Sequence, residues 1–343
     1  MKKRVSIGII GCGAVAHFHA QSVLAAENAS LAGFADVNAK SAESFAKEYN
    51  SVAFSSVEAM LSSNAVDGVC ICTPSGFHKD VALAALEAGK HILVEKPLAV
   101  TVEDCDRVIA VAKEKGLVAG VISQFRFTET VQYAKKLLSE ERLGRLITAE
   151  LLMKYNRSQE YYDSSSWRGT WALDGGAMMN QGIHGVDMLL YLLGPAARVS
   201  GYMATLNHNI EAEDTAVGAV RFACGALGVI QSTTAAYHGE PRRLCIVGTK
   251  GTLVITEDEI EKCEIEGEKF TPLKKKASEK SEGHKNPMQI SCEGHKFQIR
   301  DFAEAILDGR EPIVPLAESR RAVALIQGVY ASGRSGNEVS LDV

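Results

Sequence analysis

Apolar residues recur along the first 122 positions in short runs separated by longer amphipathic stretches. Val5, Ile7 and Ile9 alternate with smaller or polar neighbours, as a strand covered on one face would, and a helix-like run extends to about Glu27. The segments 31–35, 66–72, 91–94 and 117–122 read as further apolar strands, and 77–88 and 102–115 as helices. Strands that alternate with helices predict an α/β fold with a doubly wound parallel sheet. After Gln124-Phe125-Arg126-Phe127 the rhythm changes. A helix over 130–139 is followed by period-two segments at 147–155, 199–206, 214–221, 227–234, 243–247 and 252–256. Adjacent strands with short turns and few helices predict an α+β domain on a large, mostly antiparallel open sheet. Helices at 297–308 and 317–332 close the chain. The reading is two domains, 1–123 and 124–343.

Composition narrows the classes without naming a chemistry. A chain of 343 residues at formal charge −5 buries an adequate core and has no excess of Lys and Arg for nucleic acid or a membrane surface. Lys2-Lys3-Arg4 before Val5–Ile10 imitates a secretory leader, but the apolar part is shorter than such a segment needs, and no run approaches a membrane span. The eight cysteines contain no Cys-x-x-Cys; Cys70 and Cys72 are expected on opposite faces of their strand. Cys292 and His295 have ligand spacing but lack a second pair, so no metal is expected. Free thiols of this kind imply a reducing cytoplasm. The charge-rich 257–285 stretch is expected to be an exposed hairpin and loop. Its run Lys274-Lys275-Lys276 is flanked by Glu279 and Glu282 and reads as solvated.

The first turn carries chemistry. Gly11-Cys12-Gly13-Ala14-Val15-Ala16 lies between the first strand and helix, and Asp36 ends the second strand twenty residues beyond Ala16. Gly11 allows the tight turn, Gly13 lets backbone approach a pyrophosphate, and Ala16 is small enough for helix–strand contact. The helix start offers N–H groups and the positive end of its dipole to phosphates. Asp36 would accept the ribose hydroxyls and repel a 2′-phosphate, which favours NAD over NADP. The first half therefore reads as a Rossmann dinucleotide domain.

Two strand ends should line the cofactor crevice: Thr73-Pro74 with His78 close behind, and Glu95-Lys96-Pro97. Lys96, beyond an apolar strand, is expected to face the crevice, where desolvation lowers an amine toward the range of proton transfer. His78 reads equally as a crevice residue or a simple cap. The informative segment of the second half runs from Trp167-Arg168 through Asp174-Gly175-Gly176 to Asn180, His184 and Asp187. A helix beginning near Met178 would set Asn180 and His184 one turn apart on one face, with Asp187 three residues on. A histidine merely satisfied by Asp187 is the alternative. His184 otherwise suits a general base, since an unperturbed imidazole titrates near neutrality.

These motifs together resemble the glucose–fructose oxidoreductase, inositol dehydrogenase and rhizopine-catabolism oxidoreductase family. The resemblance runs through Gly11-x-Gly13-x-x-Ala16, Thr73-Pro74 with His78, Glu95-Lys96-Pro97, Gly175-Gly176 to His184 and the ending Tyr330-Ala-Ser332-Gly-Arg334. It implies a nicotinamide-dependent oxidoreductase on a sugar, polyol or nucleotide-sugar hydroxyl or ketone, with Lys96 and His184 as the catalytic pair. It also implies a C-terminal sheet that mediates homodimer or homotetramer contacts. Inositol-dehydrogenase-like members usually have Asp where this chain has Asn180. Asn cannot exchange protons, so Asn180 is expected to orient substrate hydroxyls. Asn-Gln-Gly-x-His also resembles members acting on nucleotide-linked amino-sugar acids. On this reading Gly11, Gly13, Ala14, Val15, Ala16, Asp36, Thr73, Pro74, His78, Glu95 and Lys96 contact NAD. Arg126, Tyr155, Arg157, Tyr161, Trp167 and Arg168, with Asn180, His184 and Lys96, are the expected substrate contacts; an arginine fork would suit a carboxylate or phosphate. The competing reading is a non-catalytic sensor of NAD or a sugar with the same fold.

Overall fold

The computed structural model describes residues 4–268 and 292–342. The chain separates into two compact units, residues 1–124 with 292–320, and residues 125–291 with 321–343.

The first unit begins β1 (Val5–Ile10), α1 (Ala14–Ala25), β2 (Ala29–Ala35), α2 (Ala39–Glu48), α3 (Val57–Leu61) and β3 (Gly68–Ile71). It continues with α4 (His78–Glu87), β4 (His91–Val94), α5 (Val102–Lys115) and β5 (Ala119–Val121). All four strand pairings are parallel and the order is β2-β1-β3-β4-β5. A parallel bridge between Phe34 and Ala53 adds the remnant of one more strand outside β2. With that remnant the sheet has the strand order of dinucleotide-binding folds, in which ligands lie at the switch point beside β1. Strands covered on both faces must be apolar throughout, and Ile7, Ile9, Val69, Cys70, Ile71, Ile92 and Val94 have no exposure.

The first unit is not one stretch of chain. Helix α9 (Glu293–Asp308) returns to it, and Ile299, Phe302, Ala303 and Ala305 join Ile7, Ile9, Ala16, Ala20 and Val23 in one core. The sequence reading placed these residues in the second half. The difference arises because an amphipathic helix shows that it has a buried face without showing which sheet it covers. The opening turn of α10 (Leu316–Ser335) groups with this unit as well; Ser319 accepts a hydrogen bond from Leu98 N.

The second unit contains α6 (Glu129–Ser139), β6 (Leu146–Lys154), α7 (Gln159–Asp163), a π-helical turn (Met178–Gly182), α8 (Ile183–Leu193) and β7 (Ala196–Ala204). Strands β8 (Thr215–Phe222), β9 (Leu227–Thr233), β10 (Arg243–Gly248), β11 (Gly251–Thr256) and β12 (Glu259–Ile265) follow, with β13 (Val339–Ser340) near the C-terminus. They form an eight-stranded sheet in the order β12-β11-β10-β6-β9-β8-β7-β13, antiparallel except between β6 and β9. Period-two burial along β8 and β9 leaves one face open. The register aligns Tyr202 with Val217 and sets Leu227 and Val229 on that same exposed face. Hairpin β11–β12 occupies the start of the charge-rich stretch. The lysine run at 274–276 lies outside the described residues.

Candidate active site

In the first unit the glycine turn is built by close approach. Gly11 has φ +93°, and a side chain there would meet the Cys72 backbone at 2.7 Å, so the ends of β1 and β3 abut. A side chain at Gly13, by contrast, would meet nothing within 4 Å, and α1 begins there with no side-chain cap. Its first N–H groups therefore face open space, which is where a pyrophosphate would be held. Ala14 and Val15 supply those N–H groups, and Ala16 is wholly buried against the sheet. Asp36 braces the turn: its carboxylate accepts from Cys12 N at 2.7 Å and Asn38 N at 2.8 Å. The Thr73 hydroxyl, at the end of β3, is buried with no protein hydrogen-bond partner. An open helix start and an orphaned hydroxyl at the switch point fit a dinucleotide.

His78 and Glu95 turn out differently from expectation. Both His78 ring nitrogens lie against carbonyl oxygens, Nδ1 2.6 Å from Pro97 O and Nε2 2.8 Å from Thr73 O, and a neutral ring donates to one of them. It thus clamps two loops together rather than offering a nitrogen to the cofactor, and burial lowers its pKa. Glu95 is buried against His19, with Oε1 2.7 Å from Nε2, and His295 Nε2 lies 3.7 Å away. Burial alone would raise the Glu95 carboxyl, but hydrogen bonds from His19 and His295 outweigh it and hold the group well below the usual carboxylate range. The sequence carried no signal for His19, and it marked His295 only by its spacing from Cys292. Cys70 and Cys72 also both approach His19, contrary to the expectation of opposite faces, because residues two apart on a strand point the same way.

His19, Glu95 and His295 place three potential ligand atoms within 4.8 Å of one another, the one such group among the described residues. The 2.7 Å contact is that of a shared proton; ligands on zinc at about 2.0 Å stand about 3.3 Å apart. Glu95 Oε2 accepts from Lys96 N at 3.2 Å, so the buried pair holds the backbone from which the half-buried Lys96 projects.

In the second unit, the helix expected near Met178 opens as a π-turn and becomes α-helical only at Ile183. The wider turn sits in the segment carrying Asn180 and His184, as π-turns at functional sites commonly do. Asn180 donates to Asp174 Oδ1 through Nδ2, and its Oδ1 accepts from Gln181 Nε2 at 2.7 Å. A carboxylate is therefore present beside position 180 after all, supplied by buried Asp174, whose Oδ2 accepts from Gly169 N. His184 is half-buried and meets Phe125 edge-on at 5.1 Å.

Arg126, expected among the substrate contacts, is engaged by the protein itself. It is buried and forms a bidentate pair with Asp187 at 2.6 and 2.8 Å. The expected aromatic–arginine group does assemble. Arg168 Nη1 donates to Tyr161 Oη at 2.5 Å, and its guanidinium lies over Tyr161 and Trp167 at 4.2 and 4.5 Å. Arg157 Nη2 donates to Gln181 Oε1 at 2.9 Å, and its guanidinium faces buried Tyr155 at 5.5 Å. Gln181 Nε2 also reaches Tyr161 Oη at 3.5 Å. One polar chain thus joins Arg168, Tyr161, Gln181, Asn180 and Asp174. Arg168 Nε is buried with no hydrogen-bond partner, a donor held ready for an acceptor.

Comparisons with known proteins identify the family. The oxidoreductase family with an NAD-binding Rossmann fold, GFO/IDH/MocA, matches residues 5–123, and the GFO/IDH/MocA C-terminal domain matches residues 131–254. The scyllo-inositol 2-dehydrogenase (NAD(+)) of Bacillus subtilis is 26% identical over 352 residues, covering 100% of this chain and 98% of its own. Glucose-6-phosphate 3-dehydrogenase of Bacillus subtilis is 30% identical over 219 residues, 62% of this chain and 60% of its own length. Among solved structures, the WlbA dehydrogenase of Bordetella pertussis, in complex with NADH and UDP-GlcNAcA, is 30% identical with a TM-score of 0.88, over 99% of this chain and 100% of that one.

Proposed function

The chain belongs to the GFO/IDH/MocA oxidoreductase family, and from that premise we propose an NAD-dependent dehydrogenase for a sugar that carries a carboxylate, in particular a nucleotide-linked amino-sugar acid. NAD, when bound, supplies the acceptor for the hydride of the oxidised carbon. The chain's part is proton and charge handling: His184 takes the hydroxyl proton, and the Lys96 ammonium stabilises the developing alkoxide. In the reductive direction the same groups return the proton. Asn180, fixed between Asp174 and Gln181, orients the sugar.

The observation that carries the substrate class is Arg168, with its buried, unpartnered Nε and its planar guanidinium spread on Tyr161 and Trp167. A guanidinium fork matches a carboxylate in two parallel hydrogen bonds. The UDP-GlcNAcA complex of a relative 30% identical along nearly the whole chain supports the same class. Relatives named as dehydrogenases count against the sensor reading.

The test is NAD reduction, followed by absorbance, with UDP-linked N-acetylglucosamine uronate, its uncharged parent nucleotide sugar, inositols and free sugars. Turnover should be greatest with the uronate. Equal or better turnover with an inositol would overturn the assignment. The open sheet face with Tyr202, Val217, Leu227 and Val229 is read as a contact between copies, a homodimer or homotetramer, which light scattering would reveal as a mass above one chain. No helix of the described residues is long and apolar enough to cross a membrane. A cytoplasmic location is read from the eight free thiols.

A further inference from the structure

Glu213 and Tyr330 meet at the start of the π-turn, far from it in sequence. Glu213 has 1% exposure, Tyr330 also 1%. The Glu213 backbone carbonyl accepts from Ala177 N at 2.9 Å, and its Oε1 accepts from Met178 N at 2.8 Å. Tyr330 Oη accepts from Met179 N at 3.2 Å. Three consecutive N–H groups that a helix start leaves without internal partners are thus received by two distant residues. Gly176, at φ +90°, permits the contact, since a side chain there would lie 2.7 Å from Glu213 Oε1.

The acceptors around Tyr330 outnumber its protons. Tyr330 Oη lies 2.6 Å from Glu213 Oε1 and 2.9 Å from the Gly175 carbonyl oxygen, yet a phenol has one proton to donate. Tyr330 donates toward both acceptors and shares its one proton between them unless Glu213 is itself protonated, in which case the carboxyl can donate to Tyr330 and leave the phenol proton to Gly175. The other carboxyl oxygen, Oε2, is buried with no hydrogen-bond partner. An ionised carboxylate would leave charge there unsolvated, whereas a neutral acid does not.

We propose that Glu213, in its acid form, and Tyr330 are positioning residues that together hold the π-turn presenting Asn180 and His184. The proposal rests on His184 as the catalytic base and adds a proton-dependent support beneath it. The groups facing Glu213 are Tyr330 from α10, Tyr162 from α7 and its own neighbour Asp214, and Asp174 in turn faces Tyr330 and Tyr162. Burial, reinforced by Asp214, pushes the carboxyl up to about 8 against the opposing hydrogen bonds of Tyr330, Met178 and Ala177. Because the folded pKa is raised, the stabilisation from this proton is complete below the unfolded value of 4.5 and declines until about 8. Above that pH the clasp holds an ion.

Infrared difference titration of the full chain, with steady-state kinetics beside it, tests this. The wild type should show the carbonyl band of a buried carboxylic acid at neutral pH, lost as pH passes about 8, and Glu213→Gln should lack the band. Tyr330→Phe should keep the band but shift it to that of an acid that has lost the phenol and keeps only Met178 N, which decides the matter even if Glu213→Gln does not fold. Both variants should lower kcat on the order of 10- to 100-fold, with the KM for NAD maintained and the fall in rate near pH 8 removed in Glu213→Gln. No acid band in the folded wild type, or wild-type kcat and pH profile in both variants, would overturn the proposal. Full activity of His184→Ala would instead remove the site assignment while leaving the infrared result intact.

Discussion

Replacing Asp36 by Asn isolates one charge in the cofactor cradle. The carboxylate is oriented by Cys12 N at 2.7 Å and Asn38 N at 2.8 Å, so its position is set before any ligand arrives. A 2′-phosphate bears about −1.5 to −2 charges. At a separation of about 4 Å each unit pair repels by about 1 kcal/mol in water and about 4 kcal/mol at an effective dielectric of 20. Asp36 is half-buried, so the solvent-screened end applies, and about 2 kcal/mol is the expected penalty. That corresponds to about 30-fold in affinity. The wild type should therefore bind NADPH about 30-fold more weakly than NADH, and Asp36→Asn should erase most of that ratio. The variant also leaves one of the two backbone N–H groups without its acceptor, at about 1–3 kcal/mol of stability. The ratio of the two dissociation constants is insensitive to that loss, which makes it the proper readout. Fluorescence titrations with both cofactors at low and high salt supply it, and added salt should narrow the wild-type gap. Equal affinities in the wild type, or an unchanged ratio in the variant, would refute the reasoning.

Lys96→Ala should cut kcat on the order of 10²–10⁴-fold while NADH affinity holds; near wild-type turnover with a cognate sugar would exclude Lys96 from the chemistry. Asp187→Asn leaves the buried Arg126 charge without its carboxylate and should cost about 3–5 kcal/mol in urea denaturation. The double change Arg126→Met with Asp187→Leu should recover most of that loss, and an equal loss in the double variant would falsify the ion-pair account. Arg168→Ala should raise KM for a carboxylate-bearing substrate about 10- to 100-fold and leave an uncharged analogue unaffected, because a charge-assisted hydrogen bond is worth about 1.5–3 kcal/mol. A uniform rise for both substrates would mean that Arg168 serves packing.

Legibility followed the range of the forces involved. Helix α5 is bounded by the Thr101 cap and Gly116, both local signals, and its limits are those expected. The glycine turn was readable for the same reason, since a tight turn constrains residue types within a few positions. Helix α2 was passed over although Asn38 caps it and Ala42, Phe45 and Ala46 form its buried face; its apolar residues are few and small. The protein partners of Arg126, His78 and Glu95 were not legible because a polar residue looks the same whether its partner is a ligand or another residue. Asp187 lies 61 positions from Arg126, and His19 lies 76 from Glu95. Asp174 carried no role of its own in the sequence, and its carboxylate on Asn180 became visible only with the π-turn folded.

The return of α9 to the first unit bears on how the chain is made. Synthesis proceeds from the N-terminus, so the sheet of β1–β5 emerges while the residues that complete its core, Ile299, Phe302, Ala303 and Ala305, are still untranslated. The nascent nucleotide unit waits with an uncovered apolar surface for the length of the intervening insertion. Proteolysis or premature termination before residue 293 would leave that surface open to aggregation, and a fragment ending at residue 123 would share the same defect. The two units thus alternate along the chain, and the ribosome must translate residues 125–291 of the second before the first is whole.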